Sequence, residues 1–160
     1  STDSCMIDDT ILDKLKNATK NSSKLNIDIT HRETYKMGIY TGNERGFYIP
    51  HTDTQGGMNH RKLSVVICLS KETDYEGGTF KLIDLDREFK FDKGTAILFD
   101  SNLLHGVEPV TAGIRRVLIS FMWDRDGAIL RNDTRYLIQK EPEPDPEAEA
   151  EAYAEPVLFL

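Results

Sequence analysis

His51-Thr52-Asp53 is the place in this 160-residue chain where side chains able to bind a metal fall at a useful spacing. In a strand, positions i and i+2 project to the same side. An imidazole and a carboxylate two residues apart can therefore take adjacent corners of one cation. A third ligand has to come from elsewhere. The chain has four histidines: His31, His51, His60 and His105. His31 precedes the first β-like run, His60 sits in a polar, Gly-rich loop, and His105 opens a β-like run just after the apolar Ala96–Phe99. His51, Asp53 and His105 would place two imidazoles and one carboxylate on one face of a metal. Taken singly, each part has a blander explanation: a strand-end histidine bonded to a nearby aspartate, or a satisfied core histidine.

Arg115 changes that balance. It lies ten residues beyond His105, and the intervening Pro109 and Ala112-Gly113 suit a hairpin turn. Antiparallel neighbours would put Arg115 in the same cavity as His105. Arg115, Val117, Ile119 and Phe121 share one parity, so the arginine would stand at the end of an apolar-lined space and need an anion. A dicarboxylate fits, with one end chelating the metal and the other paired with the guanidinium. Arg116, of opposite parity, reads as a surface residue. The two imidazoles and one carboxylate of His51, Asp53 and His105 are the arrangement of non-haem Fe(II) oxygenases.

The elements that must hold these residues are mostly short strands. The β-like runs are Tyr35–Thr41, Gly46–His51, Lys62–Ser70, Thr79–Asp84, Glu88–Phe91, Thr95–Asp100, His105–Val110 and Arg115–Trp123. Gly42, Gly56-Gly57, Gly77-Gly78, Gly94 and Gly113 punctuate them. This pattern predicts a mainly β sandwich or jelly roll. Val65-Val66-Ile67-Cys68-Leu69 suits a strand buried on both faces, with Cys68 a packed small hydrophobe. Ahead of the strands, Ile7, Ile11, Leu12 and Leu15 form a helical stripe over 6–19, capped by Asp8 or Asp9 and ended by Asn21-Ser22-Ser23.

Charge separates the body from the tail. Net charge is −7, from 27 acidic and 20 basic residues. Seven of the acids and none of the bases fall in 141–160, so residues 1–140 are balanced. A neutral body argues against broad nucleic-acid binding. The composition predicts one domain over 1–140 and an extended, disordered tail over 141–160, EPEPDPEAEAEAYAEPVLFL. Its apolar end, Val157-Leu158-Phe159-Leu160, reads as a tail end or a short docking peptide. Two cysteines, Cys5 and Cys68, cannot build a disulfide scaffold. No window is apolar enough for a membrane span, no signal peptide is evident in a chain starting at Ser1, and the expected location is cytoplasmic.

The motifs in their order resemble the 2-oxoglutarate and Fe(II)-dependent dioxygenases, in their prolyl 4-hydroxylase-like branch. The matching residues are Tyr40 through Gly46-Phe47-Tyr48 to His51-Thr52-Asp53, then Leu69 and Tyr75-Glu76-Gly77-Gly78-Thr79-Phe80. Gly94 through Phe99 follows, then His105-Gly106-Val107-Glu108-Pro109-Val110-Thr111-Ala112-Gly113-Ile114-Arg115, closing at Trp123. The resemblance implies a double-stranded β-helix whose mouth holds the metal. It implies His51, Asp53 and His105 as iron ligands, and Arg115 and Tyr40 as contacts of 2-oxoglutarate. Three protein ligands would leave three positions for the cosubstrate and O2. Ascorbate is admitted as an accessory. Tyr48 resembles a pocket-lining aromatic. Val117 departs from the small or hydroxyl residue many relatives carry, which removes one contact to the cosubstrate.

The loop Thr54–Arg61 reads as a lid, which makes His60 and Arg61 candidate substrate contacts. Phe121 and Trp123 read as core. The implied activity is hydroxylation of a C–H bond, on a protein or peptide substrate that contains proline. Two alternatives stand beside it. A hydroxylase of a small molecule such as a free amino acid would need a second cation, from Arg61, Lys81 or Arg87. A jelly roll kept only for binding would have lost its ligands. The tail prolines Pro142, Pro144, Pro146 and Pro156 make the tail itself a candidate occupant of the groove.

Overall fold

The computed structural model describes residues 3–22 and 24–134, with side chains from Thr10 onward. The expectations for the tail, Cys5 and Ile7 lie outside the described residues or side chains. Helix α1 (Asp3–Lys20) is followed by strands β1 (His31–Arg32), β2 (Lys36–Thr41), β3 (Tyr48–His51), β4 (Leu63–Cys68), β5 (Tyr75–Gly77) and β6 (Phe80–Leu82). Strands β7 (Arg87–Phe89), β8 (Ala96–Asp100), β9 (His105–Val107) and β10 (Val110–Trp123) and helix α2 (Arg125–Asp133) complete it. The helix α1 starts earlier than its sequence stripe suggested. No Gly or Pro precedes Asp8, so the helix runs back past it and neither Asp8 nor Asp9 is a cap.

The strands form two sheets. The larger has the order β1-β10-β4-β8, with β2 and β5 also paired to β10; the smaller has the order β3-β9-β6-β7. All pairings are antiparallel. This is the jelly roll that the run of short strands predicted. Strand β4 lies between β10 and β8 and is buried on both faces. Leu63 and Val65 pack with Met122 against Ile11, Leu12 and Leu15 of α1. Val66 and Cys68 face the space between the sheets, with Phe80, Phe99 and Val117. The helix thus backs the sheet whose other face lines the cavity.

One connection differs from its expectation. No hairpin joins His105 to Arg115. Strand β9 belongs to the smaller sheet, and the chain crosses to the larger one at Glu108-Pro109. Gly113 does not reverse the chain. It sits inside β10 at φ +72°, where a Cβ would strike the Asp74 carbonyl. Residues before it pair with β5 and residues after it with β2, so the glycine bends the strand. His105 and Arg115 therefore face each other across the sandwich rather than along a hairpin. Three elements had no counterpart in the sequence reading: β1, β5 and α2. The last is capped by the Asp124 side chain, which accepts from the Gly127 N–H at 2.8 Å.

Candidate metal centre and cosubstrate cavity

The smaller sheet supplies the histidines. His51 ends β3 and His105 opens β9, and the two are register partners. Their rings lie 4.3 Å apart, centre to centre. Each ring is held the same way: His51 Nδ1 sits 2.9 Å from the Ile49 carbonyl, and His105 Nδ1 2.8 Å from the Leu103 carbonyl. A carbonyl only accepts, so each Nδ1 carries the proton and each Nε2 is left with its lone pair. Both Nε2 atoms face Asp53. His51 Nε2 is 3.3 Å from Oδ1, and His105 Nε2 is 3.4 Å from Oδ2. One ligand atom from each of the three residues lies within 4.8 Å of the others. The donor set and its spacing fit one divalent transition metal.

Asp53 stands just past β3, and its place is set by partners the sequence reading missed. Its N–H donates to the Ser101 carbonyl at 2.9 Å, and its carbonyl accepts from Arg61 Nη1 at 3.1 Å. The Ser64 hydroxyl donates to Asp53 Oδ2 at 2.5 Å and lies 3.0 Å from the Ser101 hydroxyl. A serine inside the apolar run of β4 was the available signal, since a buried hydroxyl needs a polar partner.

These contacts set the protonation states. Burial disfavours charge on His51, but Asp53 and the Ile49 carbonyl outweigh it and hold its pKa above the usual histidine value. For His105, burial prevails over Asp53 and the Leu103 carbonyl, and the pKa falls below that value. Burial pushes Asp53 up, yet His51, His105 and Ser64 together bring it below the usual carboxylate value.

The three residues open onto a cavity of about 790 Å³ between the sheets, mostly apolar in its walls. Arg115 lies in its wall with Val117, Ile119 and Phe121, the parity read from the sequence. It is 1% exposed, and its Nη1 and Nη2 have no hydrogen-bond partner among the described residues. Its charge lies over the rings of Tyr40 at 5.1 Å and Phe91 at 5.8 Å. Room for it comes from Gly78 at φ +64°, where a Cβ would come within 3.0 Å of the arginine stem. A buried guanidinium with no acid beside it calls for an anion from outside, and a carboxylate fits its fork. Tyr40 is the register partner of Arg115 and also lines the cavity. Burial raises its hydroxyl pKa despite the nearby Arg115, so it is a neutral donor.

The candidate substrate contacts divide. Tyr48 lines the cavity and leans on His51, with ring centres 4.2 Å apart. Arg61 lines it too, flat over Phe121 at 3.7 Å, but its charge is paired with Glu33 at 2.7 and 2.9 Å. His60 is placed otherwise than expected. It is buried, edge-on to Trp123, and does not line the cavity, because its ring turns inward under α2. Phe121 borders the cavity, whereas Trp123 is core. The loop Thr54–Arg61 is tied at both ends, by Thr54 to Asn102 and by Arg61 to Glu33. Cys68 is buried, as its strand predicted.

The 2OG-Fe(II) oxygenase superfamily model matches residues 35–123, more than half of the chain. The chain belongs to this superfamily. Among relatives, a PKHD-type hydroxylase of Sphingopyxis alaskensis is 40% identical over 91 residues, covering 55% of this chain and 40% of the relative. One of Synechococcus is 34% identical over 83 residues, covering 51% and 36%. The chain thus matches well under half the length of these curated relatives. Two solved structures share the fold. One is a prolyl hydroxylase of Trichoplax adhaerens, in complex with a hypoxia inducible factor oxygen degradation domain peptide. It has TM-score 0.58 and 23% identity over 76% of this chain and 57% of that one. The other is the viral collagen prolyl hydroxylase of Paramecium Bursaria Chlorella virus-1 in a 2OG complex, at TM-score 0.58 and 24% identity over 73% and 71%. Superfamily membership names Fe(II) and 2-oxoglutarate as the groups the donor set and the unpaired arginine suit.

Proposed function

We propose that the chain is an Fe(II)- and 2-oxoglutarate-dependent hydroxylase of a C–H bond in a protein or peptide, with a prolyl residue as target. The observation that carries this is one cavity holding a two-histidine, one-carboxylate set and, in its wall, a buried arginine lacking an anion. Bound iron, 2-oxoglutarate and O2 supply the oxidising chemistry, yielding succinate and CO2 as the substrate C–H becomes C–OH. His51 Nε2, Asp53 and His105 Nε2 hold the metal. Arg115 takes the distal carboxylate, aided by the neutral Tyr40 hydroxyl. Val66, Phe80, Phe99 and Val117 keep water from that carboxylate, which strengthens the pairing.

The peptide target is supported by the similar folds of two prolyl hydroxylases. None of the three cations expected to hold a free amino acid stands free in the cavity wall, although Lys36 also lines that wall. Arg61 is paired with Glu33, while Lys81 is paired with Glu88 and Glu108 and, like Arg87, lies outside the wall. The domain reading, one catalytic unit over 1–140, is proposed with it. The test is succinate release with Fe(II) and 2-oxoglutarate against a library of extended peptides. Turnover that needs a proline peptide is expected. Turnover on free amino acids alone would reject the peptide target.

A further inference from the structure

Asp53 has more partners than a metal ligand requires, and one of them is directional. A carboxylate only accepts, so the Ser64 hydroxyl must donate to Oδ2. Having spent its proton there, Ser64 can only accept from the Ser101 hydroxyl 3.0 Å away. The hydroxyl protons therefore run one way, from Ser101 to Ser64 to Asp53. Both serines are fully buried, so no solvent competes for these bonds. The Ser101 backbone also fixes the Asp53 N–H, and the Ser101 N–H is itself fixed by the Lys62 carbonyl. Ser64 and Ser101 thus join β4 and the turn after β8 to one carboxylate.

We propose that Ser64, oriented by Ser101, is a positioning residue that pins Oδ2 of Asp53 and leaves Oδ1 as the metal-binding oxygen. The proposal rests on the metal-site reading above. Its consequence is that Asp53 occupies one coordination position rather than two. Without the serine the carboxylate would be free to turn, which would weaken its hold on a metal and, through the metal, on the cosubstrate. A partner of a ligating carboxylate is worth about 10- to 100-fold in metal affinity.

The test is Mn(II) titration of the full metal-free chain, followed by the EPR signal of the free ion, and then 2-oxoglutarate titration of the Mn(II)-loaded protein. Ser64→Ala is expected to weaken Mn(II) binding about 10- to 100-fold and to weaken 2-oxoglutarate binding as well. Ser101→Ala is expected to give a smaller loss, and the double variant the same loss as Ser64→Ala, because Ser101 acts through Ser64. Ser70→Ala is the control: it removes another buried hydroxyl, one bonded to the Ile114 carbonyl and the Arg116 N–H. It is expected to leave Mn(II) affinity unchanged. Wild-type affinity in both Ser64→Ala and Ser101→Ala, or an equal loss in Ser70→Ala, overturns the positioning role. Unchanged affinity in Asp53→Ala overturns instead the metal-site reading beneath it.

Discussion

The metal centre and the Arg115 region are solved by opposite physics. At the metal centre every ligand is anchored: each histidine Nδ1 meets a carbonyl, and Asp53 meets Ser64, Ser101 and Arg61. At Arg115 the two terminal nitrogens have no hydrogen-bond partner among the described residues, and aromatic and aliphatic side chains pack around the guanidinium. The first region has its geometry before any metal arrives. The second holds an uncompensated charge until an anion arrives. Metal ligands gain from preorganisation, and a buried cation gains affinity from being left unpaired in the empty state.

Four changes sharpen or break that contrast. The largest effect is expected at the anchored end. His51→Ala, Asp53→Ala and His105→Ala should each abolish turnover and leave the circular dichroism of the fold little changed. Iron-dependent turnover in His105→Ala would remove it from the ligand set. Next, Arg115→Ala should raise the 2-oxoglutarate requirement by about 2–5 kcal/mol, since the carboxylate stays desolvated without its partner. Arg116→Ala, exposed on the same strand, should change nothing. The contrast also predicts an inverse result for stability. Arg115→Met keeps the bulk and removes the unpaired charge, so the cosubstrate-free protein should melt higher and gain nothing from added 2-oxoglutarate. A lower melting point in Arg115→Met would mean the guanidinium is satisfied after all.

The smallest effect is a pH dependence at the anchored end. Metal binding needs both imidazoles neutral. His51 is held above the usual histidine value and His105 below it, so on acidification His51 takes a proton first. Mn(II) affinity should therefore fall as pH drops from above the usual histidine value to below it. Affinity that stays flat over that range would contradict the raised His51.

The same contrast explains what the sequence disclosed. The ligand pair was legible because His51 and Asp53 are two residues apart, and Arg115 because strand parity set it among Val117, Ile119 and Phe121. The doubly buried β4 was legible from its unbroken apolar run. The supporting partners were not. Ser101 and Glu33 reach the site through pairings far apart in the chain that no local spacing marks, and Ser64 was marked only as a hydroxyl in an apolar run. The misplaced turn has a similar origin. Gly113 has the φ of a turn, but only the pairing of its flanks with β5 and β2 shows a bend within one strand. His60 does lie in the loop, but its burial depends on Trp123 and α2, and α2 is a short helix that contains Gly127.

The central claim is that one cavity binds a metal through His51, Asp53 and His105 and 2-oxoglutarate through Arg115. The most direct measurement is an anaerobic titration of the Fe(II)-loaded chain with 2-oxoglutarate, followed by the visible charge-transfer absorption of the iron–2-oxo acid chelate. A saturable band is expected in the wild type and no band in Asp53→Ala. In Arg115→Ala saturation should need about 30-fold more 2-oxoglutarate or beyond, the equivalent of 2 kcal/mol. No band in the wild type, or a wild-type titration curve in Arg115→Ala, would contradict the account.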